Sequence, residues 1–493
     1  VNAIFDWLKQ NGIAAPAAGH ASDFVSDSRL VRPGAVFAAL PGSRTDGVKF
    51  VSDAVARGAV LVLSERAVEA AVPVAVVPDL RARLPRLAAT FYAEPSRRMQ
   101  VVGITGTNGK TTTTFMVEEM LRHAGRKTGL IGTIAYRYGD VTTPAPNTTP
   151  DPVSLQRLLA AMHTAGTQSV AMEVSSHGLH ERRVDGTEFD VAVFTNLTRD
   201  HLDYHADMES YFAAKRRLFS EVLPAASKAV RAVINVDDPY GARLAAETVA
   251  PVWTVGTTKA DFQIGDVTYS PAGFSASVAT PFGTRNLACK LPGKHNVYNA
   301  VEALAAVLAL GVEPAAAVDA LARVAGVPGR LEYITDGSVH VYVDYAHTDD
   351  ALANVLAALR PLAGGRIVTV FGCGGDRDRG KRPAMGRVAA QGSDVAVVTS
   401  DNPRTEDPKQ ILADIEPGVS AHMQPYDGVR GCHVEIDRRA AIQWAIAEAR
   451  PGDIVLVAGK GHEDYQILGT EKFPFSDREE VRRALDARKG VAQ

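Results

Sequence analysis

The sequence predicts an α/β protein of three domains: a small N-terminal α/β domain, a central domain built on a parallel sheet, and a C-terminal doubly wound, Rossmann-like domain. Three observations predict it. The chain has 493 residues, enough for about three domains of ordinary size. Short Val/Ile-rich runs alternate with helical segments along most of its length, as in parallel sheets covered on both faces. One such run, Val101-Val102-Gly103-Ile104, enters Thr105-Gly106-Thr107-Asn108-Gly109-Lys110-Thr111-Thr112, a glycine-rich loop closing on a lysine and a run of hydroxyls.

From 1 to 96 the pattern is that of a small α/β unit. Ile4, Phe5 and Leu8 mark a helix, and apolar runs at 35–40, 60–63 and 72–77 mark strands, with a polar turn from Pro41 to Gly47 between the first two. Pro95 and the charges around it suggest a boundary. Beyond the glycine-rich loop, Val117, Met120, Leu121 and Ala124 recur at the spacing of one buried helix face, and Gly125 is placed to cap it. Strand runs follow at 169–174, 191–197 and 232–236. A second boundary fits Val327-Pro328-Gly329-Arg330, after which the rhythm restarts with runs at 339–344, 367–371, 395–399 and 454–458. The expected domains are therefore 1–96, 97–327 and 328–493.

Composition narrows the function classes. Hydrophobic residues make up 46% and charged residues 22%, with a net charge of −3, so there is no basic footprint for nucleic acid. No run approaches the roughly 18 apolar residues of a membrane span. The start of the sequence lacks a secretory pattern, and Cys289, Cys373 and Cys432 show neither C-x-x-C nor zinc spacing. Reduced thiols in a cytoplasmic protein are expected.

The chemistry begins at the glycine-rich loop. Glycines let backbone N–H groups approach anionic oxygens, and the helix N-terminus adds partial positive charge. Lys110 can reach the β- and γ-phosphates of a nucleotide, and the Thr111 hydroxyl can join a Mg²⁺ shell. Ile104 stands where the G-x-x-x-x-G-K-[ST] pattern has its first glycine; the glycines fall at 103, 106 and 109. Ligands of parallel sheets gather at the carboxyl ends of the strands. There lie Glu173, an acid suited to anchoring Mg²⁺, and the polar run Thr198-Arg199-Asp200-His201-Leu202-Asp203-Tyr204-His205. Lys215 has, from spacing alone, the look of an ordinary helix-surface lysine. Pro146-Asn147-Thr148-Thr149-Pro150-Asp151-Pro152 is a polar loop in which Asp151 can cap a helix. In the last domain three strand ends carry charged loops: Gly375 to Pro383, Asp401-Asn402-Pro403-Arg404, and Gly459-Lys460-Gly461-His462-Glu463-Asp464. Arginines clamp carboxylates and the acids can hold an ammonium, which suits an amino-acid or dicarboxylate ligand.

With these motifs the chain resembles the Mur ligase family over nearly its whole length, most closely the branch (MurE type) that adds 2,6-diaminopimelate to UDP-N-acetylmuramoyl-L-alanyl-D-glutamate. The stretch 105–112 is similar to the ATP loop of that superfamily, which folylpolyglutamate synthases share. Glu173 to Leu179 and Asn196 to His205 are more specific to the branch, and Asp401-Asn402-Pro403-Arg404 resembles the signature of diaminopimelate-adding rather than lysine-adding enzymes. The resemblance implies roles. Gly106, Thr107, Asn108, Gly109, Lys110, Thr111 and Thr112 would bind ATP, with Asn296 and Asn299 at adenine and ribose and Arg330, Asp344 and His347 completing the nucleotide site. Ser26, Ser28, Ser43, Arg44 and Thr45 would meet the UDP part, and Asn147, Thr148, Thr149, Ser175, Glu181 and Arg183 the muramyl dipeptide. Lys215 matches a lysine carbamylated in the family, which would hold a second Mg²⁺ near His201 while Thr111 and Glu173 serve the first. Diaminopimelate would meet Arg377, Asp401, Asn402, Pro403, Arg404, Gly459 and Glu463.

The implied reaction is amide synthesis through an acyl phosphate, with Lys110, Glu173, His201 and Lys215 as the catalytic set, in a cytoplasmic monomer with no nucleic-acid or membrane partner. Rival readings are a lysine-adding ligase, a folylpolyglutamate synthase, and a nucleotide-binding regulatory module.

Overall fold

A computed structural model of the chain describes residues 3–14, 21–41, 46–202 and 204–491. The expected substrate residues Ser43, Arg44 and Thr45 lie outside them. The chain forms two compact units: Val1–Ile264, Ala279–Thr284 and Tyr298–Leu321 make the first, and Gly265–Val278, Arg285–Val297 and Ala322–Gln493 the second.

The first unit opens with a parallel sheet of β1 (Asp23–Val25), β2 (Ala35–Ala39), β3 (Ala59–Ser64) and β4 (Val74–Val76), in that order, with helices α1 (Ala3–Gln10), α2 (Val51–Ala56) and α3 (Leu80–Phe91). Alternate residues of a strand face opposite sides, and here both sides are covered. Phe24, Val36, Leu61 and Leu63 pack with Ile4, Leu8, Leu84 and Leu87. Val25, Phe37 and Val62 pack with Val51 and Ala54 on the other side. That is why β2 reads as an unbroken apolar run.

The larger sheet of this unit uses β5 (Gln100–Thr105), β6 (Thr128–Ile131), β7 (Ala135–Tyr138), β8 (Val141–Pro144), β9 (Ser169–Glu173), β10 (Val191–Phe194), β11 (Arg231–Asn235) and β12 (Val252–Gly256), in the order β12-β11-β10-β5-β9-β6-β7-β8. Its helices are α4 (Lys110–His123), α5 (Pro152–Thr164), α6 (Ser176–His180), α7 (Met208–Arg217) and α8 (Pro239–Glu247), followed by the buried α9 (Lys294–Ala309) and by α10 (Pro314–Arg323). Strands β9, β5, β10 and β11 are parallel neighbours, and Ile104 pairs with Glu173 while Thr105 pairs with Phe194. The carboxyl ends of three strands therefore finish level, at one edge.

Local signals act as expected. Val117, Met120 and Leu121 are fully buried, Gly125 closes α4 at φ 82°, and the Asp151 carboxylate accepts the N–H groups of Val153 and Ser154, both 3.1 Å away, with Pro152 opening α5. The small sheet docks on this framework through Arg157, whose guanidinium donates to the Phe24 carbonyl at 3.1 Å, and through Val153, which joins the core of α1 and α3. The structure departs from a simple strand–helix rhythm at β6–β7–β8, an antiparallel extension whose last strand is exposed throughout. A strand with no buried face carries no apolar periodicity, so the sequence gives no sign of it.

In the second unit β14 (Gly273–Ala279) and β15 (Arg285–Cys289) pair antiparallel, after β13 (Phe262–Ser270) has begun beside β12. The main sheet uses β16 (Glu332–Thr335), β17 (His340–Asp344), β18 (Ile367–Phe371), β19 (Val395–Val398), β20 (Gly431–Val434) and β21 (Ile454–Ala458), in the order β16-β17-β21-β18-β19-β20, and all but β16 are parallel. Helices α11 (Asp349–Leu359), α12 (Lys381–Gly392) and α13 (Pro408–Ser420) cover one face through Leu356, Met385 and Ile415. Helices α14 (Arg438–Glu448) and α15 (Asp477–Val491) cover the other through Ile442, Ala445 and Leu485. A hairpin of β22 (Tyr465–Leu468) and β23 (Glu471–Pro474) precedes α15. Helices on both faces make this a doubly wound domain, as the sequence predicts. Among the described residues no helix is long and apolar enough to cross a membrane.

Candidate active site

The loop from β5 to α4 is held in shape by its neighbours. Gly106 and Gly109 have φ of 153° and 87°, where side chains are disfavoured. A Cβ on Gly106 would overlap the Thr195 hydroxyl, and one on Gly109 the Asn299 side-chain oxygen. The segment following β10 is the scaffold: the Asn108 N–H donates to Asn196 Oδ1 at 3.0 Å, and the Thr195 hydroxyl donates to the Asn108 carbonyl at 2.6 Å. The Thr198 N–H donates to the Thr107 hydroxyl at 3.0 Å, which also lies 3.1 Å from the Tyr211 hydroxyl. Thr112 is buried in the first turn of α4. Asn299 accepts from the Thr113 hydroxyl at 3.3 Å, directly against the loop. Asn296, on the same helix, donates to the Pro292 carbonyl at 2.7 Å.

Two cations converge on one carbonyl. Lys110 Nζ donates to the carbonyls of Gly106 and Thr107 at 2.9 and 2.7 Å, and Lys215 Nζ donates to the same Gly106 carbonyl at 2.7 Å. The surface role that spacing suggested for Lys215 is wrong: the residue is 1% exposed. Helix α7 turns this position inward, and Tyr211 one turn earlier lays its ring 4.6 Å from Nζ. Burial, reinforced by the nearby Lys110 charge, holds the Lys215 ammonium well below its usual pKa.

Glu173, at the end of β9, is fully engaged. Its carboxylate accepts the Thr111 hydroxyl at 3.0 Å, the Thr133 N–H at 2.8 Å and the Thr133 hydroxyl at 3.1 Å. The Thr133 and Thr148 hydroxyls are 3.0 Å apart, so this network extends into the expected dipeptide loop. Thr149 donates to the Glu173 carbonyl and accepts the Ser175 N–H, both at 3.0 Å. Ser175 caps α6, Arg183 donates to the Thr149 carbonyl at 2.8 Å and pairs with Glu181, and Asn147 is exposed with its carbonyl taken by Tyr136. These expected substrate residues form one continuous rim beside the phosphate loop.

His201 sits left-handed at φ 54°, its ring 5.1 Å from that of His177 and 6.0 Å from that of Tyr211. Partial burial lowers the imidazole, against the Asp200 carboxylate 3.5 Å away. Ser26 and Ser28 stand apart from this edge, following β1, where Asp27 caps the short turn Ser28–Leu30 and clamps Arg29. Among the described residues no three His, Cys, Asp or Glu side chains are gathered to hold a metal.

In the second unit the three charged loops do meet. Asn402 Nδ2 donates to Glu463 at 2.9 Å, and Gln466 donates to the Asp401 carbonyl at 2.8 Å. Gly459, at φ 119°, could not carry a Cβ, which would press on the Asp401 carboxylate. Pro403 is buried, and Arg404 adopts φ 53°, a conformation costing a side-chain-bearing residue roughly 1–2 kcal/mol. That backbone lets Arg404 donate to the Gly375 carbonyl at 2.8 Å, in the loop carrying the exposed Arg377. Asp344, by contrast, is occupied: its carboxylate accepts the N–H groups of Leu331 and Ala346 at 2.7 and 2.8 Å, and burial raises its pKa. It shapes the turn leading to Tyr345, whose ring lies 5.0 Å from the Arg330 guanidinium and 4.7 Å from the ring of the exposed His347.

Sequence reasoning assigned no role to three buried ionisable residues. Lys460 is fully buried where the three charged loops meet. Arg438 forms a fully buried pair with Asp477 at 2.7 Å and donates to the carbonyls of Ser400 and Ala458, at 3.3 and 2.9 Å, which precede Asp401 and Gly459. Glu302 is fully buried in α9 with neither oxygen hydrogen-bonded. Only Glu302 left a signal, as a lone acid in Ala300-Val301-Glu302-Ala303-Leu304-Ala305.

Comparison with known proteins joins these parts. The family model for the Mur ligase middle domain matches residues 104–307, that for the Mur ligase glutamate ligase domain matches 329–461, and the Mur ligase family catalytic domain matches 24–92. The UDP-N-acetylmuramoyl-L-alanyl-D-glutamate–2,6-diaminopimelate ligase of Geobacter metallireducens is 51% identical over 93% of both chains. The protein of that name from Gloeobacter violaceus is 50% identical over 94% of both. A solved structure of such a ligase superposes with a TM-score of 0.72 at 36% identity, covering 98% of this chain and 99% of the other. Matches of this extent, to three Mur ligase family models and to relatives about half identical along nearly the whole sequence, show that the chain belongs to the Mur ligase family.

Proposed function

We propose that the chain is an ATP-dependent ligase joining 2,6-diaminopimelate to the D-glutamate of UDP-N-acetylmuramoyl-L-alanyl-D-glutamate. The observation that carries the reading is the meeting of the Asp401–Arg404 loop with Glu463 through Asn402, which gathers a guanidinium and carboxylates on joined loops for a ligand bearing both charges. The domains are 1–96 for the UDP part, 97–327 for ATP and 328–493 for the amino acid, working as a monomer in the cytoplasm.

The carboxylate of D-glutamate attacks the γ-phosphorus of ATP, and ADP leaves with the bonding electrons. The amine of diaminopimelate attacks the resulting acyl phosphate, loses its proton, and phosphate departs from the tetrahedral intermediate. Lys110 lies against the carbonyls of its own loop and would turn to the transferring phosphoryl, whose negative charge it offsets. The backbone N–H groups from Gly106 to Thr112 cradle the other phosphates. Thr111 and Glu173, a hydroxyl and a carboxylate 3.0 Å apart, are hard oxygen donors suited to Mg²⁺. His201 and a carbamylated Lys215 would hold a second ion, the ammonium form of Lys215 being unfit for a cation. Mg²⁺ there supplies charge neutralisation at the phosphates. Thr148, Thr149, Ser175 and Arg183 orient the dipeptide.

The direct test is phosphate release with ATP and the UDP-sugar dipeptide, run with diaminopimelate, lysine and ornithine in turn. Release dependent on diaminopimelate supports the reading, and release indifferent to any amino acid favours a regulatory ATPase. Arg404→Ala is expected to raise the KM for diaminopimelate by roughly thirtyfold or more, since a lost charged partner costs about 2–5 kcal/mol and each 1.4 kcal/mol is about tenfold. An unchanged KM counts against its role. For Lys215 the expected results are a bound carbon dioxide in native mass and activity that falls on bicarbonate depletion. Full activity in an unmodified protein sinks the carbamate.

A further inference from the structure

The loops that offer charges to the amino acid already enclose a cation of their own. Lys460 is 0% exposed, and its Nζ donates to Asn402 Oδ1 at 2.9 Å, lies 3.3 Å from Glu463 Oε2 and 3.9 Å from Asp401 Oδ1. The Tyr465 ring stands 5.8 Å away. Every polar group around this ammonium belongs to a residue of the proposed diaminopimelate site or its immediate flank.

Two consequences follow from that position. The first is geometric. Asn402 Oδ1 accepts both Lys460 and the Ile467 N–H, each at 2.9 Å. Two donors at one atom identify it as the oxygen, so the amide nitrogen must point the other way, where it donates to Glu463 at 2.9 Å. Lys460 thereby fixes which face of Asn402 and which oxygen of Glu463 remain for a ligand. The second is electrostatic. Among its buried and half-buried side chains, Asp401 and Glu463 bring two negative charges and Lys460 and Arg404 two positive ones, while Arg377 on the neighbouring loop is exposed to solvent. Arg438 and Asp477, behind the loops, cancel each other. The inner part of the site is neutral as built. A head group with one ammonium and one carboxylate finds a counter-charge for each and leaves the balance unchanged. A lone ammonium brings an uncompensated charge into a buried region, which is costly.

We infer that Lys460 is a specificity-determining positioning residue, setting the inner part of the amino-acid site to a net charge of zero so that it selects a zwitterionic head over a bare ammonium. The inference rests on the proposed function of these loops. Removing the charge leaves that inner part net negative and makes it complementary to a lone ammonium.

The test uses Lys460→Met and Lys460→Gln in the full chain, with kcat and KM measured separately for diaminopimelate and for lysine, and the KM for ATP as control. The expected result is a fall of roughly tenfold or more in the ratio of kcat/KM for diaminopimelate to that for lysine. It should arise from a higher diaminopimelate KM, with the KM for ATP unmoved. A merely structural lysine would depress both amino acids alike and keep the ratio, and that result overturns the inference. Should neither variant fold, Asn402→Asp adds a negative charge with Lys460 in place and must shift the ratio the same way. A constant ratio there also overturns it. Failure of the unaltered protein to use diaminopimelate would instead overturn the proposed function, so the two failures are distinct.

Discussion

Lys110→Ala is expected to abolish ligation, lowering turnover by roughly 10²–10³-fold or more, the loss typical of removing one preorganised charge donor, while the protein stays folded. The reason lies in how the loop is built. Its shape depends on Asn108 with Asn196 and Thr195, and on Thr107 with Tyr211 and Thr198. None of these contacts involves the lysine side chain. Lys110 is half-buried, and its ammonium donates to the Gly106 and Thr107 carbonyls of its own loop. Truncation therefore removes a charge from the phosphates and little from the framework. Circular dichroism and thermal unfolding should match the unaltered protein, and phosphate release should vanish. Near-normal turnover would refute the role of the loop.

Glu302 is expected to make the protein lose stability as pH rises from about 4.5 to about 8. Burial pushes its carboxyl up to about 8 from 4.5, and neither oxygen has a hydrogen-bond partner. The sign follows from proton counting. Between those values the unfolded chain has released the proton and the folded chain keeps it, so raising the pH favours unfolding. Below about 4.5 both states are protonated and the effect is absent; above about 8 it is complete. Each tenfold change in proton affinity is worth about 1.4 kcal/mol, which makes the whole effect on the order of 5 kcal/mol. Glu302→Met keeps the length of the side chain and removes the acid. Its unfolding temperature should exceed that of the unaltered protein by several degrees at about pH 9, and by less at about pH 5. Parallel curves at the two pH values would show that the acid is not held neutral in the fold.

What the sequence revealed and what it concealed divide along physical lines. Strands β5, β9 and β10 were legible because both faces are buried, leaving unbroken apolar runs, and α5 was legible because Asp151 and Pro152 mark its first turn. The phosphate loop declared itself by local spacing. Charges whose meaning depends on contacts between distant segments stayed hidden. Lys215 donates to a carbonyl 109 residues away, and Lys460 to an amide 58 residues away. Helical periodicity is blind to such partners. Resemblance to a family pointed to Lys215, but nothing in the residues alone pointed to Lys460 or Arg438. Strand β8, exposed along its length, was unreadable for the opposite reason, having no core to face.

The buried Arg438–Asp477 pair carries a consequence for how the protein comes into being. Arg438 ties the ends of β19 and β21 by their Ser400 and Ala458 carbonyls, and its guanidinium is paired with Asp477, the first residue of α15. During synthesis the sheet strands emerge before that acid does. Until residue 477 has left the ribosome, Arg438 lacks the carboxylate that pairs with it at 2.7 Å, and leaving one partner of a buried pair alone costs about 3–5 kcal/mol. Domains generally fold as they are made, from the N-terminus onward, so the phosphate loop can be finished while the amino-acid loops still wait. A nascent chain stalled before α15 should therefore bind nucleotide and fail to bind the amino acid.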